Sequence, residues 1–239
     1  MQPGRYHTHE SVWNSIRWRG LLYSFLLATR EILRPLLYWY AWHIFSTDLQ
    51  KAIPEPYAKK EVDIAVLCGP PAIETAIPQL VPLGQLTSEQ IRSRMQDGGA
   101  VAIARVGNEV AGYMWLSFMN GGMLVYDFSW TLAPDEALRY GSFVNPKWRG
   151  LGIHSALNNA LNHYARGRGI HRTLGSIGAF NRQSLNLAKH ARKRKAMTVF
   201  VLHVNGLNWT YARAFGAALE SRFSRSPAKS SPSSPAIEE

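Results

Sequence analysis

Cysteine is almost missing from this chain: Cys68 is the only one in 239 residues. An intrachain disulfide is therefore excluded, and the thiol, set in an apolar run, reads as a small buried hydrophobe. No Cys/His cluster has zinc-site spacing. His7 and His9 lie near the N-terminus and the other histidines are scattered, so no metal is expected. No apolar run reaches the roughly 18 to 20 residues that span a bilayer. The first basic and apolar segments lack a small-residue cleavage site, so no secretory leader is expected. A cytoplasmic protein fits these absences. Acidic residues are also scarce, 16 Asp plus Glu against 27 Lys plus Arg, for a net charge of +11. That excess suits anionic partners such as a phosphorylated cofactor, anionic lipid or an acidic glycan. Nucleic acid is not expected, because no recognition helix or aromatic stacking motif accompanies the charge.

Hydrophobic residues make up 46% of the chain, enough for a packed core. The N-terminal 50 residues are crowded with aromatics. Their pattern, with Pro35 as a break, predicts helices over about 10–33 and 35–45. Such an aromatic-rich helical extension would lie on an anionic membrane surface or pair with a second copy through residues 11–49. Packing on the rest of the chain is the other reading. Residues 51–61 read as a linker and 62–223 as the main domain. Residues 224–239, rich in Ser and Pro, read as a disordered tail. Within the domain, a strand over 62–67 precedes helical segments. Thr87 and Gln90 form a capping-box pattern. Two strands around the Gly107-Asn108 turn make a hairpin. Strands over 123–132 and 137–144 follow, then a helix over 155–166, a strand over 173–177, a helix over 181–192 and a strand over 197–204. A last helix is expected after Asn208. Lys189, Arg192, Lys193, Arg194 and Lys195 read first as a solvated helix end.

The most informative stretch is Val144-Asn145-Pro146-Lys147-Trp148-Arg149-Gly150-Leu151-Gly152-Ile153-His154-Ser155. A strand ends at a proline, a basic glycine-punctuated turn follows, and a helix begins. Glycines allow close backbone approach, and the first helical N–H groups lack intrahelical acceptors. The helix dipole and Arg149 add positive charge, so the place suits a phosphate. The segment resembles the acyl-CoA-binding motif of the GCN5-related N-acetyltransferase (GNAT) superfamily. Arg149, Gly150, Gly152 and Ile153 match its pattern; His154 stands where that family has a small residue, and its imidazole is expected to face outward. A second segment, Asn181-Arg182-Gln183-Ser184, is similar to the family's other CoA-contacting helix start, and plain helix capping by Asn181 is the alternative.

The resemblance implies an α/β (α+β) GNAT fold: a mixed, mostly antiparallel central sheet flanked by helices. It implies acetyl-CoA, or another acyl-CoA, as co-substrate and a small-molecule or amino-sugar amine as acceptor. The cofactor-binding residues it implies are Phe143, Val144, Arg149, Gly150, Leu151, Gly152, Ile153, His154, Ser155, Asn181 and Ser184. The oxyanion donor would be a backbone N–H near Phe143 or Val144. The catalytic groups are less defined. The motif strand has no central carboxylate, so Glu136 at its start, Asp127 on the neighbouring strand and Tyr140 are the candidates. Ala188 occupies the position of the family's usual tyrosine acid, which leaves water or Tyr211 for that task. These gaps also admit a protein that binds acyl-CoA without catalysis, or a membrane-associated scaffold. The charge and the aromatic segment together fit a peripheral position at the inner membrane.

Overall fold

The computed structural model describes residues 37–53, 61–119, 123–125, 128–190, 193–204, 207–214 and 223–225, with Phe25 and Thr29 besides. The strands are β1 (Leu37–Asp48), β2 (Asp63–Cys68), β3 (Ala100–Val106), β4 (Glu109–Ser117), β5 (Met123–Val125), β6 (Phe128–Trp130), β7 (Glu136–Val144), β8 (Arg172–Gly178), β9 (Arg194–Val204), β10 (Leu207–Ala214) and β11 (Phe223–Arg225). The helices are α1 (Ile73–Leu80), α2 (Ser88–Gln96), α3 (Ile153–Gly167) and α4 (Arg182–His190). Eight strands form one sheet in the order β10-β9-β1-β8-β7-β4-β3-β2, and β11-β6-β5 form a small second sheet. In the large sheet every described pairing is antiparallel except β7 with β8, which α3 connects.

Side-chain alternation along β3 and β4 sorts the core into two layers. Ala100, Ala102, Ala104, Met114 and Leu116 face α3, packing on Ile153, Leu157, Leu161 and Ala165. The small alanines let that helix come close to the sheet. Val101, Ile103, Tyr113 and Trp115 face the other way, against Ile73, Ala76 and Leu80 of α1 and Ile91 and Met95 of α2. Helix α2 starts with the expected capping box: the Thr87 hydroxyl accepts from Gln90 N–H at 3.2 Å, and Gln90 Oε1 accepts from Thr87 N–H at 3.0 Å. At Gly112 an added Cβ would lie 2.6 Å from the Phe143 carbonyl oxygen, so β4 and the end of β7 approach more closely than a side chain allows.

Several expectations are corrected. The helix expected over 35–45 is instead strand β1, inserted between β8 and β9. The physical reason lies in its composition. Trp39, Trp42, Ile44 and Phe45 are β-branched or aromatic, which favours a strand once neighbours exist on both edges. The helix expected after Asn208 is strand β10, antiparallel to β9. The strand expected over 123–132 is two short strands, β5 and β6. The proposed helix over 10–33 lies outside the described residues, apart from Phe25 and Thr29, which are helical. No helix among the described residues is long and apolar enough to cross a membrane.

Ile44, 1% exposed, anchors the inserted strand. Ile44→Ala is expected to destabilise the protein by roughly 2–5 kcal/mol in urea titrations. A loss below about 1 kcal/mol would show that β1 is peripheral to the fold.

Candidate acyl-CoA site

Two strands that part company define the site. β7 and β8 pair in parallel from Glu136↔Arg172 to Arg139↔Gly175, and no pairing follows. β7 continues to Val144 with only β4 beside it. Its backbone groups beyond Arg139 therefore face a gap that β8 does not fill. On the β4 side the ladder steps from Trp115↔Tyr140 to Tyr113↔Phe143, so Gly141 and Ser142 together oppose Met114. Gly141 has φ +54°. This is a bulge opened by a left-handed glycine, a device that bends a strand and interrupts its pairing. The sequence did not single out this bulge; a glycine inside a strand pattern was its signal.

At the open end of the gap the predicted turn forms. Asn145 Oδ1 accepts from Lys147 N–H at 3.1 Å, starting the single 3₁₀ turn Pro146–Trp148. Lys147 is held by Glu109 at 2.7 Å, and this ammonium keeps the Glu109 carboxyl below its usual pKa. Gly150 and Gly152 adopt φ +79° and +83°, which a side chain would strain. Gly152 is the N-cap of α3, and no side chain caps the helix. The first N–H groups of a 15-residue helix are thus left without a side-chain acceptor, on a turn where an added Cβ at Gly150 would meet nothing within 4 Å. Arg149 is exposed and its Nε donates to the Val144 carbonyl at 3.2 Å, which folds the guanidinium back over the turn. Ile153 is buried in the core, and Leu151 packs against it.

The structure brings Val144 and residues 149–155 to one end of the gap, with Phe143 beside Tyr113 at 5.7 Å between ring centres. Asn181 Oδ1 accepts from Ser184 N–H at 3.1 Å, so the capping geometry is present at the start of α4. Glu136 is not part of this group. It is 2% exposed, accepts from Ala133 N–H at 3.1 Å and pairs with Arg172 at 3.2 Å. It sits eight residues back along β7, about 26 Å in extended chain. Tyr140 lies at the first unpaired step of β7, against Trp115 and under the Arg94 guanidinium, and burial pushes its pKa up to about 12. Asp127 and Arg192 lie outside the described residues. Tyr211 is exposed on β10.

His154, expected to face outward, is half-buried. Burial, with Lys193 and Arg139 close by, pushes its pKa down to about 4. Lys193 is likewise no solvated helix-end charge, and Arg194 and Lys195 belong to β9. Arg139, 6% exposed, reaches Asn158 and donates to the Thr47 hydroxyl at 2.9 Å. Sequence reasoning missed Arg139 and Asn158 and read Lys193 as a solvated charge. The available signals were an arginine between Leu138 and Tyr140 in a strand, and His154, Asn158 and Asn162 at i, i+4 and i+8 on one helix face. Among the described residues, no group of three or more His, Cys, Asp or Glu is placed to hold a metal.

The acetyltransferase (GNAT) family profile matches residues 73–192. No curated protein matches the sequence. Among solved structures, a GCN5-related N-acetyltransferase from Sphaerobacter thermophilus is 16% identical with a TM-score of 0.50, covering 77% of this chain and 56% of that one. That likeness concerns the fold. A conserved protein of unknown function from Staphylococcus epidermidis gives 11% identity and a TM-score of 0.48, over 75% of this chain and 67% of that one. A GNAT-family protein from Novosphingobium aromaticivorans gives 19% and 0.47, over 69% and 64%. This chain thus spans between about half and two thirds of the length of these three solved structures.

The depressed pKa of His154 has a measurable consequence. The unfolded chain takes up a proton near the ordinary value of 6.5, whereas the folded ring resists it until about 4. The residue costs no stability above pH 6.5 and progressively more as pH falls through that window, on the order of 3 kcal/mol at its lower end. His154→Gln is expected to remove this part of the acid sensitivity in urea titrations between pH 7 and pH 4. An unchanged dependence would show that the ring is not buried as described.

Proposed function

Because the chain belongs to the acetyltransferase (GNAT) family, we propose that it transfers an acyl group, most simply acetyl from acetyl-CoA, to a primary amine of a small molecule. The observation that carries this reading is the uncapped start of α3 on its two left-handed glycines, at the mouth of the gap between β7 and β8. Main-chain N–H groups from 150 to 155 would receive the diphosphate, helped by the helix dipole and the Arg149 charge. An extended pantetheine arm would run along the unpaired edge of β7 as an added strand does. Asn181 and Ser184 would flank it from α4.

In this reading the amine attacks the thioester carbonyl, the carbonyl oxygen gains negative charge, and the C–S bond then breaks to release the thiol. Backbone N–H groups freed along β7 beyond Arg139, near Phe143 and Val144, are the oxyanion donors, acting in a gap of low dielectric. Tyr140, with its pKa pushed up to about 12, stays a neutral phenol at pH 7 and serves as a hydrogen-bond donor rather than a base. Glu136 is committed to Arg172 and Ala133, so the amine's proton leaves through water.

The test is calorimetric titration of the full chain with acetyl-CoA, beside an assay of thiol release with a panel of amines. Gly152→Val and Arg149→Glu are each expected to weaken acetyl-CoA binding by about tenfold or more, the first through backbone strain and steric conflict, the second through charge reversal. Binding that neither substitution alters would remove the site assignment. Binding without any thiol release would favour an acyl-CoA-binding protein that does not catalyse.

A further inference from the structure

At the closed end of the gap, where β7 and β8 last pair, lies a cluster of positive charge, buried at Arg139 and half-buried at Lys193, with no counter-ion among the described residues. Arg139 stands on β7 opposite Gly175 of β8. Gly175 has no side chain to obstruct it, and the guanidinium crosses to the Thr47 hydroxyl of β1 at 2.9 Å. Its other contact is the Asn158 side-chain oxygen on α3. Lys193 Nζ donates to that same oxygen at 3.3 Å. His154, one turn before Asn158 on α3, sits close enough for both cations to disfavour its protonation. Two cations thus share one neutral acceptor, and among the described residues no carboxylate pairs with either.

A buried guanidinium of this kind is costly unless something compensates it. Arg139 also keeps a donor in reserve. Its Nε is buried and has no hydrogen-bond partner, and Nη2 spends one of its two hydrogens on Thr47. The Nε–Nη2 edge of a guanidinium presents two parallel N–H groups at the spacing of the two oxygens of a carboxylate. Lys193 sets a second basic nitrogen next to it, and burial, then Arg139, lowers its pKa well below the usual ammonium value. Neutral His154 can donate one further N–H.

We propose that Arg139, Lys193, Asn158 and His154 form a buried receptor for a carboxylate on one of the two reactants. It rests on the acyltransferase reading, because the cluster closes the same gap whose mouth would take the diphosphate. The carboxylate belongs either to the far end of a dicarboxylic acyl group or to an amino-acid acceptor.

Calorimetric titrations of the full chain separate these sources. One arm compares succinyl-CoA with acetyl-CoA; the other compares glycine with ethylamine, on the free chain and with CoA added. The carboxylate-bearing ligand of one arm is expected to bind at least about tenfold more tightly than its neutral counterpart. That preference is expected to fall to near unity in Lys193→Met and in Arg139→Gln. Lys193, nearer the surface, covers the case in which loss of the buried Arg139 prevents folding. Equal binding within both arms, or a preference that survives in Lys193→Met, overturns the proposal. Acetyl-CoA binding by the unmodified chain separately tests the acyltransferase reading. A chain that binds acetyl-CoA but ignores carboxylates loses only this receptor. A chain that discriminates glycine from ethylamine without binding CoA keeps the receptor and loses the acyltransferase.

Discussion

The divergence of β7 from β8 after Arg139 is the constraint on which the rest of the molecule turns. Parallel strands that stay paired present no main chain to a ligand; strands that separate leave one edge of backbone groups unsatisfied by protein. Three features act together to hold the separation. The bulge at Gly141 bends β7. Arg139 fills the space over Gly175 and ties β7 to β1 through Thr47. Strand β1 then takes the far edge of β8 along its whole length, from Asp48↔Arg172 to Trp42↔Gly178, so β8 is held away from β7 without being left unpaired.

Helix α3 connects both ends of that opening. Its apolar face, Ile153, Leu157, Leu161 and Ala165, is fixed against the alanines of β3 and the inner face of β4. Its uncapped N-terminus is thereby placed at the mouth beside Val144. Its polar stripe faces the other way along the gap. Asn158 meets Arg139 and Lys193, and Asn162 accepts from the buried Thr173 hydroxyl at 3.2 Å. One helix therefore carries an uncapped N-terminus and, a turn and a half further on, a buried polar cluster. Packing on the opposite face of the sheet, from α1 and α2, makes this rigid by burying Trp115 and Tyr113.

Charge distribution follows from the same architecture. The excess of basic residues is not merely a surface coat. Part of it is carried inward, by Arg139 in the middle of β7 and Lys193 just before β9. Their fields, added to burial, keep His154 neutral at pH 7. By contrast Glu136, one of two acidic residues that the resemblance nominated, is paired locally with Arg172 at the start of β8. There it closes the turn after Ala133 and pins the paired end of the fork.

Much of this was legible in the linear chain because it depends on local rules. Glycines at 150 and 152 after Val144-x-Pro146 dictate a left-handed turn into a helix, and Thr87 with Gln90 dictates a capped one. The alternating β3–β4 hairpin follows from its period of two. The resemblance to an acetyltransferase rests on such local features, and so does the expected location of the diphosphate-binding amides. What the sequence alone did not decide depends on partners distant in the chain. An aromatic run reads equally as an amphipathic helix or a buried strand until neighbours exist on both its edges, and only β8 and β9, more than a hundred residues away, made 37–48 a strand. The role of Arg139, the low pKa of His154 and the engagement of Glu136 have the same cause: burial and electrostatic environment belong to the assembled sheet, and no spacing along the chain encodes them.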